Sequence, residues 1–203
     1  MIKMKDQPLI DTALKAELSA LYSAGDRHYH NLAHIEAMLA LAGDYRAQLG
    51  DPEAVEAAIW FHDAIYDSKA KGNEARSAAL AEEKLAGRTD ADRLSRISAM
   101  ILATATHQLP RFDDAAATRD ASLFLDMDLS ILGAAPDAFD AYERAVRREY
   151  DWVEEPMWRA GRGAVLKDFL ARPHIFHTEE FRQRFEPQAR LNMARSLEAL
   201  AMG

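Results

Sequence analysis

Residues 51–63 read DPEAVEAAIWFHD, and this stretch decides the fold. Its opening letters DPE form a helix start, with an aspartate as N-cap, a proline at the first helical position and an acidic first turn. Val55 and Ile59 then recur at helical spacing, and His62 continues their row by one more turn. We therefore predict a helix that points an imidazole towards the core.

The rest of the chain has the same helical character. Ala, Leu, Glu and Arg dominate, β-branched residues are sparse, and no stretch reads as a convincing strand. A second helix start lies around Asn73, and Gly87 should end that helix. Further helices are predicted at residues 8–23, 31–49, 91–107, 120–132, 137–151, 156–171 and 187–201. With Pro187 read as a break, the sequence predicts an all-α fold, a compact multi-helix bundle.

Length and composition narrow the class of protein. The chain has 203 residues and no linker-like stretch, so we expect one domain over 1–203, its core motifs within about 27–133 and the C-terminal helices packing on them. A net charge of −8 argues against a nucleic acid polymer as partner. The absence of signal-like and long apolar segments argues against a membrane and predicts a cytoplasmic protein. Oligomeric state stays open, a homodimer being one possibility.

The chain has no cysteine, so any metal must be bound by His, Asp or Glu. Asp63 follows His62 directly, and a carboxylate is rarely buried unless it is paired or bound to a cation. His34 lies one turn before Met38 and again falls on an apolar side, although a lone core histidine is more often only hydrogen-bonded. Together these residues indicate a candidate metal site.

The segment ASLFLDMDLSILG adds a second acidic anomaly. Helical spacing puts Asp128 on the row of Leu125 and Leu132, so its carboxylate should face inward. Asp126 lies two positions earlier, about 200° around a helix, and should point elsewhere. Two histidines and two aspartates, with Asp128 as the fourth, make a full set of ligands for a divalent ion.

An early His, a later His-Asp pair and a distant Asp on separate helices resemble the HD superfamily, in particular a bacterial subfamily of predicted metal-dependent phosphohydrolases. The matching pieces are RHYHNLAH, WFHDAIYD, YDSKAKGNEARSA, DMDLSILG, AVRREY and ARLNM, which span nearly the whole chain. The resemblance implies a helical HD-domain bundle with a central metal, held here by His34, His62, Asp63 and Asp128. It also implies hydrolysis of a small phosphomonoester or phosphodiester, of which a nucleotide is one candidate.

The metal implied is one divalent ion, which can be Mn, Mg, Co, Ni, Zn or Fe. It would lower the pKa of a bound water and polarise the phosphorus, so that the water attacks. Asp63 would act as a ligand within the catalytic centre. Downstream of it, Asp67 and Glu74 are candidate general bases. The candidate contacts to phosphate are His107, Arg27, Lys69 and Lys71.

Two rival functions remain open on the same fold. An oxygenase with two irons is one, but such sites generally use more histidines, and Asn73 stands where dinuclear HD enzymes commonly place another histidine. The other is a non-catalytic module that keeps a metal for stability or senses a nucleotide. Counting metals per chain, and assaying metal and nucleotide binding beside phosphate release, would separate these functions.

Overall fold

The computed structural model describes residues 8–202, so the two ends of the predicted domain, 1–7 and 203, lie outside it. In the described range the regular structure is helical and there is no strand, which confirms the predicted all-α class. The helices are α1 (Thr12–Tyr22), α2 (Leu32–Asp44), α3 (Pro52–Phe61), α4 (Asn73–Leu85), α5 (Ala91–Ala103), α6 (Ala115–Leu129), α7 (Pro136–Glu149), α8 (Glu155–Ala171) and α9 (Glu179–Met202). Short 3-10 turns lie at Arg46–Gln48 and Ser130–Gly133.

Polar caps explain where several helices begin. Asn31 accepts a hydrogen bond from the backbone N–H of Ala33 and caps α2. Asp51 does the same for α3 through the N–H of Ala54, as the DPE start predicts. The helix α4 begins at Asn73 as predicted, and the left-handed backbone of Gly87 (φ 74°) follows its end.

Several predicted boundaries are wrong. The helix α1 begins at Thr12 rather than at 8, and α2 ends at Asp44 rather than at 49. The helix α5 ends at Ala103 rather than at 107, and α6 begins at Ala115 rather than at 120. The helix α9 begins at Glu179 and runs through Pro187, where the sequence predicts a break. A proline within a helix removes one backbone hydrogen bond, but burial of Phe181 and Met193 on either side supports the continuous helix.

The described chain forms two compact units, the first ending at Met127 and the second beginning at Asp128. In the first unit α3 is the central helix, packing against α1, α2, α4 and α5. Its residues Ala57, Ile59 and Phe61 are fully buried, and so are residues on its other sides. A helix that is apolar all round is stable only with neighbours on every side. The predicted histidine-bearing helix is therefore the core of this unit.

Side chains of neighbouring helices fix α3 at both ends. The carboxylate of Asp120, on α6, accepts from the backbone N–H groups of Gly50 (2.8 Å) and Asp51 (2.9 Å). At the other end the Tyr22 hydroxyl donates to the carbonyl of Trp60 at 3.0 Å. These bonds satisfy backbone groups at helix ends, and they fix the position of the residues that follow α3.

The second unit is built around α9. This helix packs against α8 and against the turn Ser130–Gly133, which also packs on α7. The buried Asn192 side chain donates to the carbonyls of Leu132 and Ala134, both at 2.9 Å. Between them, Gly133 approaches Phe185 so closely that an added Cβ would lie 2.5 Å from the Phe185 carbonyl oxygen. The turn and α9 are therefore held together by the bonds of the Asn192 amide, and the absence of a side chain at Gly133 allows their close approach.

Among the helices of residues 8–202, none is both long and apolar enough to cross a membrane. The expectation of a single domain stays a prediction, as does that of a homodimer.

Candidate metal centre

Two neighbouring helices bring the imidazoles of His34 and His62 together. His34 lies in the first turn of α2, and His62 directly follows α3; both side chains are buried. Their Nε2 atoms are 3.3 Å apart. The carboxylate of Asp63 closes the group, with Oδ2 at 3.1 Å from His62 Nε2 and 3.9 Å from His34 Nε2. The structure therefore assembles three of the four predicted ligands.

The end of α3 explains how adjacent residues can reach one point. Neighbouring side chains in a regular helix diverge by about 100°. The chain leaves the helix at His62, and the N–H of Ala64 turns back to the carbonyl of Phe61 at 3.0 Å. This tight turn lets the Asp63 carboxylate lie against the His62 ring.

A backbone contact fixes the tautomer of His62. Its Nδ1 lies 2.9 Å from the carbonyl oxygen of Ile59, which can only accept a hydrogen bond, so we assign the proton to Nδ1. In the neutral ring Nε2 then carries a lone pair, and it faces a carboxylate oxygen that also accepts. Two acceptors at 3.1 Å repel each other unless a proton or a metal cation lies between them.

The three side chains fit a divalent metal ion. One ligand atom from each of His34, His62 and Asp63 lies within 4.8 Å of the others. Imidazole nitrogen with carboxylate oxygen suits Zn, Fe, Co, Ni or Mn, and a backbone carbonyl bonded to the remote ring nitrogen is typical of metal-binding histidines. This arrangement supports a metal-binding role for the three residues.

Arg27 is buried beside this group and contacts the backbone that carries it. Its guanidinium donates to the carbonyls of His30 (3.0 Å), Asp63 (2.6 Å) and Ala64 (2.8 Å). The sequence predicts a phosphate contact for Arg27, and that role stays a prediction. What sequence reasoning missed is the backbone role, for which a lone arginine in the motif RHYHNLAH gives no signal.

The segment after Asp63 is held by the first turns of α4. The fully buried Ser77 hydroxyl accepts from the N–H of Ile65 at 3.0 Å and donates to its carbonyl at 3.2 Å. The Asn73 amide contacts Asp67 in the same manner. Both residues belong to the motif YDSKAKGNEARSA, but their partners lie in irregular chain and could not be inferred from helical spacing.

Most of the other candidate residues after Asp63 are exposed. Asp67 is exposed, and its Oδ1 accepts from the N–H of Lys69 at 2.9 Å. Lys69 and Lys71 are exposed, whereas Glu74 is partly buried in the first turn of α4. Their roles as bases and phosphate contacts stay predictions.

His107 does not lie on a helix, contrary to the sequence prediction. Past the end of α5 its backbone is left-handed (φ 53°), and its N–H donates to the carbonyl of Ala103 at 2.8 Å. This is the geometry of a helix C-terminus, in which one residue reverses the chain. The phosphate contact predicted for His107 stays a prediction.

The predicted orientation of Asp126 is wrong. Asp126 is fully buried, whereas Asp128 is partly exposed. Helical spacing separates an inward from an outward face only where a helix has one apolar stripe. In α6 the residues from Asp120 to Met127 are all buried, so the helix has no solvent face there. Asp128 belongs to the second unit, and its role as the fourth ligand stays a prediction.

Aromatic rings lie beside the two histidine ligands and beside His30. Tyr29 packs against the ring of His34 at 4.9 Å between centroids, and Phe124 meets the ring of His62 edge-on at 5.9 Å. Tyr66 stacks on His30 at 4.2 Å. The contacts of Tyr29 and Phe124 add to the burial of the His34 and His62 rings.

Comparisons with protein-family models, with curated proteins and with solved structures found no match to this chain. Membership of the HD superfamily therefore stays a prediction that rests on the motifs quoted above.

Proposed function

We propose that this chain is a metal-dependent phosphohydrolase that acts on a small phosphomonoester or phosphodiester, with a nucleotide as one candidate substrate. The observation that carries the proposal is the convergence of His34, His62 and Asp63, whose ligand atoms lie within 4.8 Å of one another. The order of these residues along the chain, in the motifs that resemble the HD superfamily, supports hydrolysis as the chemistry. A cytoplasmic location belongs to the proposal and rests on the sequence alone.

The residues have distinct tasks in this proposal. His34 and His62 hold the ion through neutral imidazoles, and Asp63 adds one negative charge. A divalent ion bound there lowers the pKa of a coordinated water and polarises a phosphoryl oxygen. The carbonyl of Ile59 keeps Nε2 of His62 directed at the ion.

The charge of the ligand set leaves the ion free to bind an anionic substrate. Two neutral imidazoles, Asp63 and the predicted ligand Asp128 bring a divalent ion to a net charge near zero, so the ligands do not repel a phosphoryl group from its open positions. The exposed Lys69 and Lys71 lie on the loop after Asp63 and add positive charge there. Asp67 or Glu74 on the same segment would accept the proton of the attacking water.

The test begins with metal-stripped protein. Zn²⁺ or Mn²⁺ is restored, metals per chain are counted, and phosphate release is measured on a panel of phosphomonoesters, phosphodiesters and nucleotides. We expect one ion per chain and hydrolysis that requires it. Undiminished hydrolysis by the stripped protein would rule out this mechanism. Two irons per chain in the protein as purified, with no phosphate release, would favour an oxygenase.

A pair of histidine variants makes the test specific to the site. His62→Ala should lower metal content at least about tenfold, because the loss of even an outer contact of a ligand commonly lowers affinity by 10–100-fold. His174→Ala is the control, since that side chain is about half exposed and belongs to the second unit. Full metal occupancy in His62→Ala would reject the proposed site.

A further inference from the structure

The guanidinium of Arg27 joins the two chain segments that carry the candidate ligands. One of its carbonyl partners belongs to His30, which lies one turn before His34. The other two belong to Asp63 itself and to Ala64. All three carbonyls lie outside regular helix, in backbone that has no helical hydrogen bonds to hold it.

Two aromatic rings hold the guanidinium in place. Its central carbon lies 5.1 Å from the centroid of Tyr22 and 5.7 Å from that of Tyr66. Tyr22 is also tied to α3 through its bond to the Trp60 carbonyl, and Tyr66 stacks on His30. Because Arg27 is buried between these groups, its planar fork is preorganised for the three carbonyls.

This geometry controls the separation of the ligands. The Asp63 carbonyl and carboxylate share one residue, so fixing the carbonyl limits where the carboxylate can lie. The bond to the His30 carbonyl fixes the backbone just before α2 relative to that of Asp63. His34 follows His30 by four residues. Without these bonds the backbone on either side could shift by a fraction of an ångström, which is enough to weaken a metal site.

We propose that Arg27 is a positioning residue of the metal centre. Its guanidinium holds the backbone of Asp63 and Ala64 against that of His30, so that the three ligands keep their separation before an ion binds. This inference rests on the proposed function, since it assumes that the three residues bind a metal. In this inference Arg27 acts by holding the backbone that carries the ligands, and it does not contact the substrate.

Arg27→Lys is the decisive variant, because lysine keeps the charge but cannot donate to three carbonyls in one plane. The matched control is Arg190→Lys. Arg190 also donates to three backbone carbonyls, those of Leu170, Arg172 and Pro173, but in the second unit. Arg190 is more exposed than Arg27 and also pairs with Glu186, so urea unfolding is measured for both variants to compare their losses of stability. Zn²⁺ is then titrated calorimetrically into metal-stripped wild-type and variant proteins that circular dichroism shows to be folded.

We expect Arg27→Lys to bind Zn²⁺ about tenfold or more weakly than wild type, and Arg190→Lys to bind within about twofold of it. Equal affinity of Arg27→Lys and wild type would overturn the inference while leaving the proposed function intact. An equal loss in both variants would also overturn it, because the effect would then follow general stability. A wild-type protein that binds neither Zn²⁺ nor Mn²⁺ would reject the proposed function itself.

Tyr66→Leu keeps the inference testable if Arg27→Lys does not fold. This variant removes one aromatic face from the guanidinium and the stacking on His30, while leaving every hydrogen bond of Arg27 in place, and the side chain is only partly buried. We expect Zn²⁺ affinity to fall about two- to fivefold, in line with a cation–π contact of about 0.5–1 kcal/mol. Unchanged affinity in this folded variant would count against the inference.

Discussion

The side-chain amide of Asn73 pairs with both backbone polar groups of Asp67. Its Oδ1 accepts from the Asp67 N–H at 3.2 Å, and its Nδ2 donates to the Asp67 carbonyl at 3.0 Å. One turn further along α4, Ser77 makes the same pair of bonds with Ile65. Two side chains on one face of a helix therefore hold alternate residues of the segment that follows the metal-binding pair.

Asn73→Asp tests this pairing. Aspartate keeps the acceptor but loses the donor to the Asp67 carbonyl, so stability should fall by about 0.5–1.5 kcal/mol and metal affinity by several-fold. The measurements are urea unfolding and Zn²⁺ titration. Gln183→Glu is the matched control, since it removes an exposed amide donor from α9 in the second unit. If Asn73→Asp binds Zn²⁺ as tightly as that control, the pairing does not support the metal centre.

The two aspartates of DMDLSILG should differ when each is changed to asparagine. The sequence assigns the fourth ligand to Asp128, so Asp128→Asn should lose most of its metal with little change in circular dichroism. Asp126 is fully buried, and Asp126→Asn should instead lower stability by about 1–3 kcal/mol, because a buried polar group would lose part of its bonding. Metal loss in Asp126→Asn together with retention in Asp128→Asn would reassign the ligand.

Asp120 should make the stability of the protein depend on pH. Burial raises the pKa of its carboxyl above the usual 3.8, against the opposing effect of the N–H groups of Gly50 and Asp51. The folded protein then binds more protons than the unfolded chain between 3.8 and the raised pKa. The contribution of Asp120 to the free energy of unfolding therefore decreases as pH rises through that window.

Asp120→Asn isolates this contribution because asparagine does not titrate. The difference in unfolding free energy, wild type minus variant, should fall as pH rises from about 3.8 and level off above the raised pKa. Urea unfolding of both proteins at half-unit steps of pH measures the difference. A difference that stays constant or rises with pH would contradict the prediction.

Two glycines of the second unit should respond to alanine in opposite directions. Gly133→Ala would place Cβ 2.5 Å from the Phe185 carbonyl oxygen and should destabilise the protein by about 1–3 kcal/mol. Gly161 lies within α8 with nothing within 4 Å of an added Cβ, so Gly161→Ala should stabilise by about 0.5–1 kcal/mol. Thermal unfolding of the two variants measures whether each one is more or less stable than the wild type. A neutral Gly133→Ala would show that the turn can move away from α9.

Local signals in the sequence predicted helix boundaries well where a capping residue or a glycine marks the boundary. The start of α3 at Pro52 and that of α4 at Asn73 are confirmed. Pro187 misled the prediction because a proline weakens a helix only locally, whereas the burial that sustains α9 depends on neighbours distant in sequence. The left-handed turn at His107 carries no glycine and therefore no signal.

The ligand group was predictable in part for a similar reason. His34 and His62 stand on apolar helical rows, so their burial follows from spacing. The same spacing failed for Asp126, because a helix surrounded on all sides has no preferred inward face. The bonds of Arg27 and Asn73 to backbone carbonyls depend on the path of irregular chain, which helical periodicity does not describe.

The separation of the two histidines along the chain has a consequence for folding kinetics. His34 and His62 are 28 residues apart, so bringing them together in the unfolded chain costs about 3 kcal/mol of loop-closure entropy. Of the three ligands, only His62 and Asp63 are neighbours in the unfolded chain, and the full group exists once α2 has docked on α3. A metal would therefore bind late in folding, and its removal would accelerate unfolding while leaving the folding rate nearly unchanged.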